Sequence, residues 1–462
     1  MDSDKVVVHA LDLGSTRIKA GRYRSGTLEE LYSVQTPPLL GEDPIRQFDP
    51  RGYLAAAHRA LDKLSSLKDE QVHVGIASQR SSFLFWDKDS GDPVTPVISW
   101  RDRRAVAWCD ANRGKEPVIR MITGLPLSPH YVGPKLAAMR ESSPMLWSHI
   151  RAGRILWGTL ETYLIWLWTG GRVHITDFTM AARTLMADIH DGTWCADLLA
   201  LYGIPLPILP VIGPSAGREI ELKGGSLLSA EIADQAGSLL AATGRETNTA
   251  LVNLGTGGFV LVPTGSEAIR RESYLCGPVL SMSDETLYAL EGTMNGVGSA
   301  LDRYKGEATT LPIDDPTPEA FCLPDQTGVG APHWKPTQSF SLSESARDLP
   351  QTDQRRIVLE GIVFRVREIV DDLIPGFSIE RICVSGGLTQ DPFLGIALSA
   401  CLQRPIELLE QQEGTLIGVA RLAAGEALQP GGSTAIFEPE EEGSYLPEKY
   451  TRWKHWLQGL WS

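Results

Sequence analysis

The chain has 462 residues, of which 42% are hydrophobic and 22% charged, and its net charge is −14. That length exceeds what one hydrophobic core serves and predicts two or more domains. The acidic balance excludes broad binding to nucleic acid or to an anionic membrane, so any phosphate site must be local, built from backbone N–H groups and a metal ion.

The opening run Val6-Val7-Val8 leads into Asp12-Leu13-Gly14-Ser15-Thr16, and an alternating run of Ile18, Ala20 and Arg22 follows. This predicts two strands joined by a tight glycine turn. "GYLAAAHRALDKLSSL" carries Leu54, Ala57, Leu61 and Leu64 at helical spacing. "VHVGIASQ" is a continuous apolar strand, as expected where both sheet faces are covered. "SFLFWDKDSGDPVTPVISW" reads as two strands about a Ser-Gly-Asp-Pro turn. A mainly helical region runs from about Pro117 to Leu201. Within it "ILWGTLETYLIWLWTGG", from Ile155, is interrupted by Glu161, is too short for a membrane span, and predicts one buried helix. A Pro-rich extended segment follows from Tyr202.

Near residue 250 the opening pattern returns. Asn253-Leu254-Gly255-Thr256-Gly257 aligns with Asp12-Leu13-Gly14-Ser15-Thr16, about 240 residues apart. The recurrence suggests an internal duplication into two similar α/β domains, against the alternative that such hairpins recur by chance. "QTDQRRIVLEGIVFRVREIVDDL" predicts a long amphipathic helix with Ile357, Ile362, Val366 and Ile369 near one face. "RICVSGGLTQDPFLGIALSACLQRPI" reads as strand, glycine pair and helix, and "EGTLIGVARLAAGEAL" as a helix of small residues. Cys109, Cys195, Cys276, Cys322, Cys383 and Cys401 fall at no metal-ligand or redox-pair spacing and are expected as reduced thiols, mostly in cores. No charged-then-apolar leader opens the chain, and the cytoplasm is the expected compartment.

Neither GxxxxGK[ST] nor a GxGxxG after a strand occurs, so a bound nucleotide would need another cradle. Three glycine turns at strand ends are candidates: Gly14-Ser15-Thr16, Gly255-Thr256-Gly257-Gly258 and Gly386-Gly387. Asp12 precedes the first. A carboxylate beside phosphates repels them unless a divalent cation stands between, so Asp12 is either a magnesium-holding acid or a turn acid capping its own backbone. Its counterpart Asn253 lacks the charge, which fits one metal on one side of a cleft.

In these stretches the chain resembles the FGGY family of carbohydrate kinases, of the actin/Hsp70/hexokinase-like fold. "LDLGSTRIKA" and "VNLGTGGF" are similar to the family's two phosphate motifs, and "VSGGLTQDPF" to its adenosine motif. "ASQRSSFLFWDKDSGDPVTPVISWRDRRA", "TGLPLSPHYVGPKL", "VHITDFTMAARTLM", "EIADQAGSLLA" and "GVGAPHW" match between them in order. The motif set stands closest to the family's glycerol kinases. The resemblance implies two duplicated ribonuclease H-like domains, residues 1–246 and 247–462, facing across a cleft, and ATP-dependent phosphorylation of a hydroxyl on a small polyol or sugar. It implies Asp234 as general base and Mg²⁺ held by Asp12 through water. Gly14, Ser15, Thr16, Lys19, Gly255, Thr256 and Gly257 would meet the phosphates, and Gly386 and Gly387 the adenosine. The acceptor pocket would use Arg80, Ser81, Trp100, Asp102, His130, Asp234, Gln235 and Phe259. Ser81 and His130 replace the Glu and Tyr usual in glycerol kinases, which keeps a ketopentose acceptor as the alternative. A homodimer or higher homo-oligomer is compatible with the resemblance. A non-catalytic nucleotide switch of the same fold is the rival from another class.

Overall fold

The computed structural model describes residues 6–65, 70–304, 314–410, 413–439 and 444–461. Strands β1 (Val7–Leu13), β2 (Arg17–Arg24), β3 (Thr27–Gln35), β4 (Val72–Ser78), β5 (Ala216–Glu221) and β6 (Leu227–Ala233) form one sheet in the order β5-β6-β4-β1-β2-β3. Strands β7 (Thr249–Leu254), β8 (Gly258–Gly265), β9 (Leu275–Ser281), β10 (Thr286–Met294), β11 (Arg381–Ser385), β12 (Ile406–Leu409) and β13 (Ser433–Phe437) form a second, ordered β9-β10-β8-β7-β11-β12-β13.

The two sheets repeat one plan. Setting β7 on β1 puts β8 on β2, β10 on β3, β11 on β4, β12 on β6 and β13 on β5. Each matched pair also runs in the same relative direction: antiparallel for β1–β2 and β2–β3, parallel for β1–β4 and β4–β6, antiparallel for β6–β5. The second sheet shows the same series. β9 is an addition. The chain also reaches the outer pair in opposite orders, β5 before β6 but β12 before β13. Duplication is therefore visible in the architecture, and the opening hairpin and its copy near residue 250 occupy equivalent places.

Helix α1 (Pro50–Leu61) starts on Asp49, whose carboxylate accepts from the Arg51 and Gly52 N–H groups, with Pro50 at the first helical position. Further helices are α2 (Val132–Ser142), α3 (Leu160–Trp168), α4 (Asp234–Thr243), α5 (Gln351–Leu373), α6 (Pro392–Leu402) and α7 (Gly414–Ala424). α5 has the predicted ends, but it is buried continuously from Ile357 to Val366 rather than along one stripe, because other elements close over it on more than one side. The stretch from Ile155 is not one helix. Ile155–Thr159 forms a strand paired with Phe83–Asp87, and α3 begins only at Leu160. Sheet pairing there overrides a uniformly apolar composition that cannot distinguish strand from buried helix.

α4 and α7 bind the halves together. α7 follows β12 of the second sheet yet packs on β1 and β4 of the first, and against α4. Small residues permit this approach: a Cβ on Gly418 would stand 2.0 Å from the Gly237 carbonyl oxygen. One apolar core, including Val8, Ala77, Ile232, Leu240, Leu251, Leu261, Leu416 and Val419, is shared between both sheets. The cysteines are free, and all but Cys195 are buried. Among the described residues no helix is long and apolar enough to cross a membrane.

Candidate active site between the two sheets

In open sheets with parallel strands, ligands gather at the carboxyl ends of the strands. Here those ends carry the polar residues. Asp12 is the penultimate residue of β1, beside Ala77, Gln79 and Arg80 follow β4, and Asp234 follows β6 as the first residue of α4. In the second sheet the equivalent places hold Asn253, the Gly386-Gly387 pair and Glu410. The duplicated frame thus presents acids and a guanidinium from one half and glycines from the other.

Arg80 is anchored from the second half. Its Nη1 and Nη2 donate to Glu291 of β10 at 2.7 and 3.1 Å, and its Nε stands 3.9 Å from Asp234 Oδ1. Arg183 Nη2 donates to both oxygens of Glu291, at 3.1 Å each. Burial alone would raise the Glu291 pKa, but Arg183 and then Arg80 hold it down at about 2. Burial raises the pKa of Asp234 above the ordinary carboxylate value, while Arg80 and the Gln235 N–H oppose the rise. A small cleft of about 20 Å³ lies against Arg80, Arg183, Gln235 and Glu291. It has room for one hydroxyl-sized group. Gln235 Oε1 is buried beside it and accepts no hydrogen bond among the described residues.

Other expected pocket residues are placed differently. Asp102, expected in the acceptor pocket, is wholly buried, and its oxygens accept from the Arg46 and Arg104 N–H groups and the Arg104 guanidinium. It holds its own turn. Ser81, also expected in that pocket, is buried, and its hydroxyl donates to the Arg183 carbonyl at 2.8 Å. Trp100, His130 and Phe259 do not line the small space by Arg80. Trp100 and Phe259 are half-buried and His130 is exposed. Trp100 is nonetheless tied to the Arg80 segment, because its N–H donates to Ser82 Oγ at 3.0 Å.

The second cavity, about 240 Å³, is lined by Asp12, Lys19, Ser238, Asn253, Gly255, Gly386, Gly387, Glu413, Thr415 and neighbours. Its glycines are of two kinds. A Cβ on Gly386, at φ +101°, would meet the Leu254 carbonyl oxygen at 2.4 Å, so the backbone itself demands glycine there. Added to Gly387 it would meet nothing within 4 Å, and to Gly255 only the Gly257 oxygen at 3.9 Å. The protein leaves that space open, as a cradle for an approaching anion requires. The Gly14 turn is braced from behind: the Gly14 carbonyl accepts from Tyr53 Oη at 2.8 Å and from Gln79 Nε2 at 3.0 Å. Lys19, expected at the phosphates, is paired across the halves with Glu413 at 2.6 Å. Burial, then the charge of Asp234, lifts the Asp12 pKa to about 7, with Lys19 pulling the other way. Among the described residues no group of three or more His, Cys, Asp or Glu side chains is arranged to hold a metal. Asp12 beside the glycine turns fits a Mg²⁺ that keeps its waters and is shared with phosphates, Glu413 of the same cavity being paired with Lys19.

The family's N-terminal domain pattern, described as "FGGY family of carbohydrate kinases, N-terminal domain", matches residues 7–226, and its C-terminal domain matches 250–427. The chain belongs to the FGGY family of carbohydrate kinases. It is accordingly an enzyme of that kinase class, with the family's two-domain fold. It is 32% identical over 434 residues to a glycerol kinase of Thermus brockianus, covering 89% of this chain and 86% of that one. Among solved structures it is similar to a ligand-bound xylulose kinase from Lactobacillus acidophilus, with a TM-score of 0.86, 22% identity and 99% and 98% of the two chains covered. It is also similar to the Plasmodium falciparum glycerol kinase with ADP, with a TM-score of 0.82, 22% identity and the same coverage.

Sequence reasoning missed Glu291, Arg183, Gln79 and Glu413. Arg183 sat inside a matching stretch, "VHITDFTMAARTLM", without a role. Glu291 lies in a strand of apolar neighbours, where a buried acid signals a partnered charge. Glu413 precedes the closing helix and carries no signal of its cross-domain partner.

Proposed function

We propose that the chain transfers a phosphoryl group from ATP to a hydroxyl of a small polyol or sugar, a glycerol-like acceptor being favoured, with Asp234 as the general base. The observation that carries this reading is where Asp234 stands. It neighbours Arg80 and Gln235 of the first space and interacts electrostatically with Asp12 of the second. A base there reaches an acceptor hydroxyl on one side while phosphates occupy the other. In this reading residues 1–246 hold the acceptor and supply the base, and residues 247–462 hold the nucleotide.

Arg80 donates to the acceptor and opposes the rise that burial gives the Asp234 pKa. Gln235 Oε1 accepts from a second hydroxyl. Trp100 covers the carbon face and Phe259 adds apolar wall, with His130 at the rim. Taking the hydroxyl proton as the bond to phosphorus forms is the step that needs a positioned base. Gly14, Ser15, Thr16, Gly255, Thr256 and Gly257 offer N–H groups to the phosphates, and Gly386 and Gly387 admit the adenosine. Asp12 would hold Mg²⁺ through water, and the ion when bound neutralises phosphate charge. Lys19 reaches the phosphates only after leaving Glu413.

The test is acceptor-dependent ADP release with glycerol, D-xylulose and related compounds. Release above the water background with one acceptor supports the reading, and none with any acceptor refutes it. A ketopentose acceptor is the second reading. It is favoured by Ser81, which stands next to Arg80 in place of a carboxylate and turns its hydroxyl to the Arg183 carbonyl.

A further inference from the structure

Lys135, in the first turn of α2, is fully buried. Its ammonium donates to two backbone carbonyls, Ser99 at 2.8 Å and Trp100 at 3.3 Å. The carboxylate that influences it, Asp102, is already committed to Arg104 and to the Arg46 N–H. A charge buried against neutral acceptors is costly. Burial accordingly pulls the Lys135 pKa down to about 7, although Asp102 pulls it up.

What this ammonium holds is the turn that carries Trp100. The Trp100 carbonyl also lies 3.3 Å from His130 Nδ1, and the Trp100 N–H is held by Ser82, two residues after Arg80. The Trp100 residue is thus pinned on its carbonyl side to the α2 segment and on its amide side to the Arg80 segment. Its ring is left half-buried, with the Arg101 guanidinium 5.1 Å from its centroid.

We propose that Lys135 is a positioning residue that fixes Trp100 over the acceptor site and so sets affinity for the polyol or sugar. This rests on the reading that Trp100 covers the acceptor. Removing the ammonium takes one donor from each carbonyl, leaving Ser99 with the Asp102 N–H at 3.0 Å and Trp100 with His130 Nδ1 at 3.3 Å; that loosens the turn and weakens a contact made by the ring rather than by Lys135 itself.

The test is a kinetic cycle of wild type, Lys135→Met, Trp100→Ala and the double variant, with glycerol and D-xylulose as acceptors. Lys135→Met is expected to raise the acceptor KM about tenfold while the ATP KM holds. The double variant should show the acceptor KM of Trp100→Ala alone, since the ring through which Lys135 acts is gone. An unchanged acceptor KM in Lys135→Met, or effects that multiply in the double variant, would overturn the proposal. If Trp100→Ala turns over with an unchanged acceptor KM, or neither acceptor turns over, the reading beneath it falls and the proposal with it. Should Lys135→Met fail to fold, Lys135→Gln keeps N–H donors without the charge and is measured in the same way. Its expected acceptor KM lies between wild type and Trp100→Ala, because the amide restores part of the donation, and a value above that of Trp100→Ala, which the ring cannot account for, would overturn the proposal.

Discussion

Asp234 stands 3.9 Å from the Arg80 guanidinium, and its ionisation decides whether it can take a proton. Burial raises its pKa and Arg80 opposes the rise. A carboxylate base works only when ionised, so kcat/KM should fall as pH drops through this raised pKa, above the ordinary carboxylate range. Arg80→Met removes the opposing charge and should move that acid limb to higher pH, which a pH–rate profile of both proteins reads directly. Asp234→Ala should lower kcat by about 10²–10⁴. Glu291→Ala leaves the Arg80 and Arg183 guanidinium groups without their shared partner, at an expected cost of about 3–5 kcal/mol in urea unfolding. At this scale the positions of Asp12, Arg80 and Asp234 near strand ends were legible, because turn residues and apolar runs mark those ends. The partner of Ser81 was not legible, because a side chain's direction depends on residues distant in sequence. Arg183, whose carbonyl takes the Ser81 hydroxyl, lies 102 positions away.

Among the elements, the glycine turns separate what the fold needs from what a ligand needs. Gly386→Ala should destabilise the protein, because the positive φ and the Leu254 carbonyl both exclude a side chain. Gly387→Ala meets nothing in the protein. It should leave stability within about 0.5 kcal/mol while raising the KM for ATP. Thermal melts beside nucleotide titrations of the two variants distinguish these outcomes. The strand–turn–strand units and the ends of α5 were readable because turn chemistry and helical period are local signals. The Ile155 stretch was not, since continuous apolar sequence suits a buried strand and a buried helix equally, and only the pairing with Phe83–Asp87 decides.

The whole molecule is two copies of one sheet plan joined by α4 and α7, with the cleft chemistry divided between them. That plan was visible in the sequence as one repeated turn. The packing that joins the copies was not, because it depends on contacts such as Gly237 against Gly418 that no local pattern marks. Gly418→Val should force the helices apart and lower the unfolding midpoint, with an overpacking cost of about 1–3 kcal/mol. The central claim is that this frame places one base between an acceptor and a nucleotide. The most direct measurement is ADP release from Mg-ATP over a panel of polyols and ketoses, for wild type and Asp234→Ala. The account predicts that at least one acceptor raises ADP release well above the water background in wild type and that Asp234→Ala abolishes most of that increment. No acceptor effect in wild type, or an Asp234→Ala protein that keeps most of the rate, would contradict it.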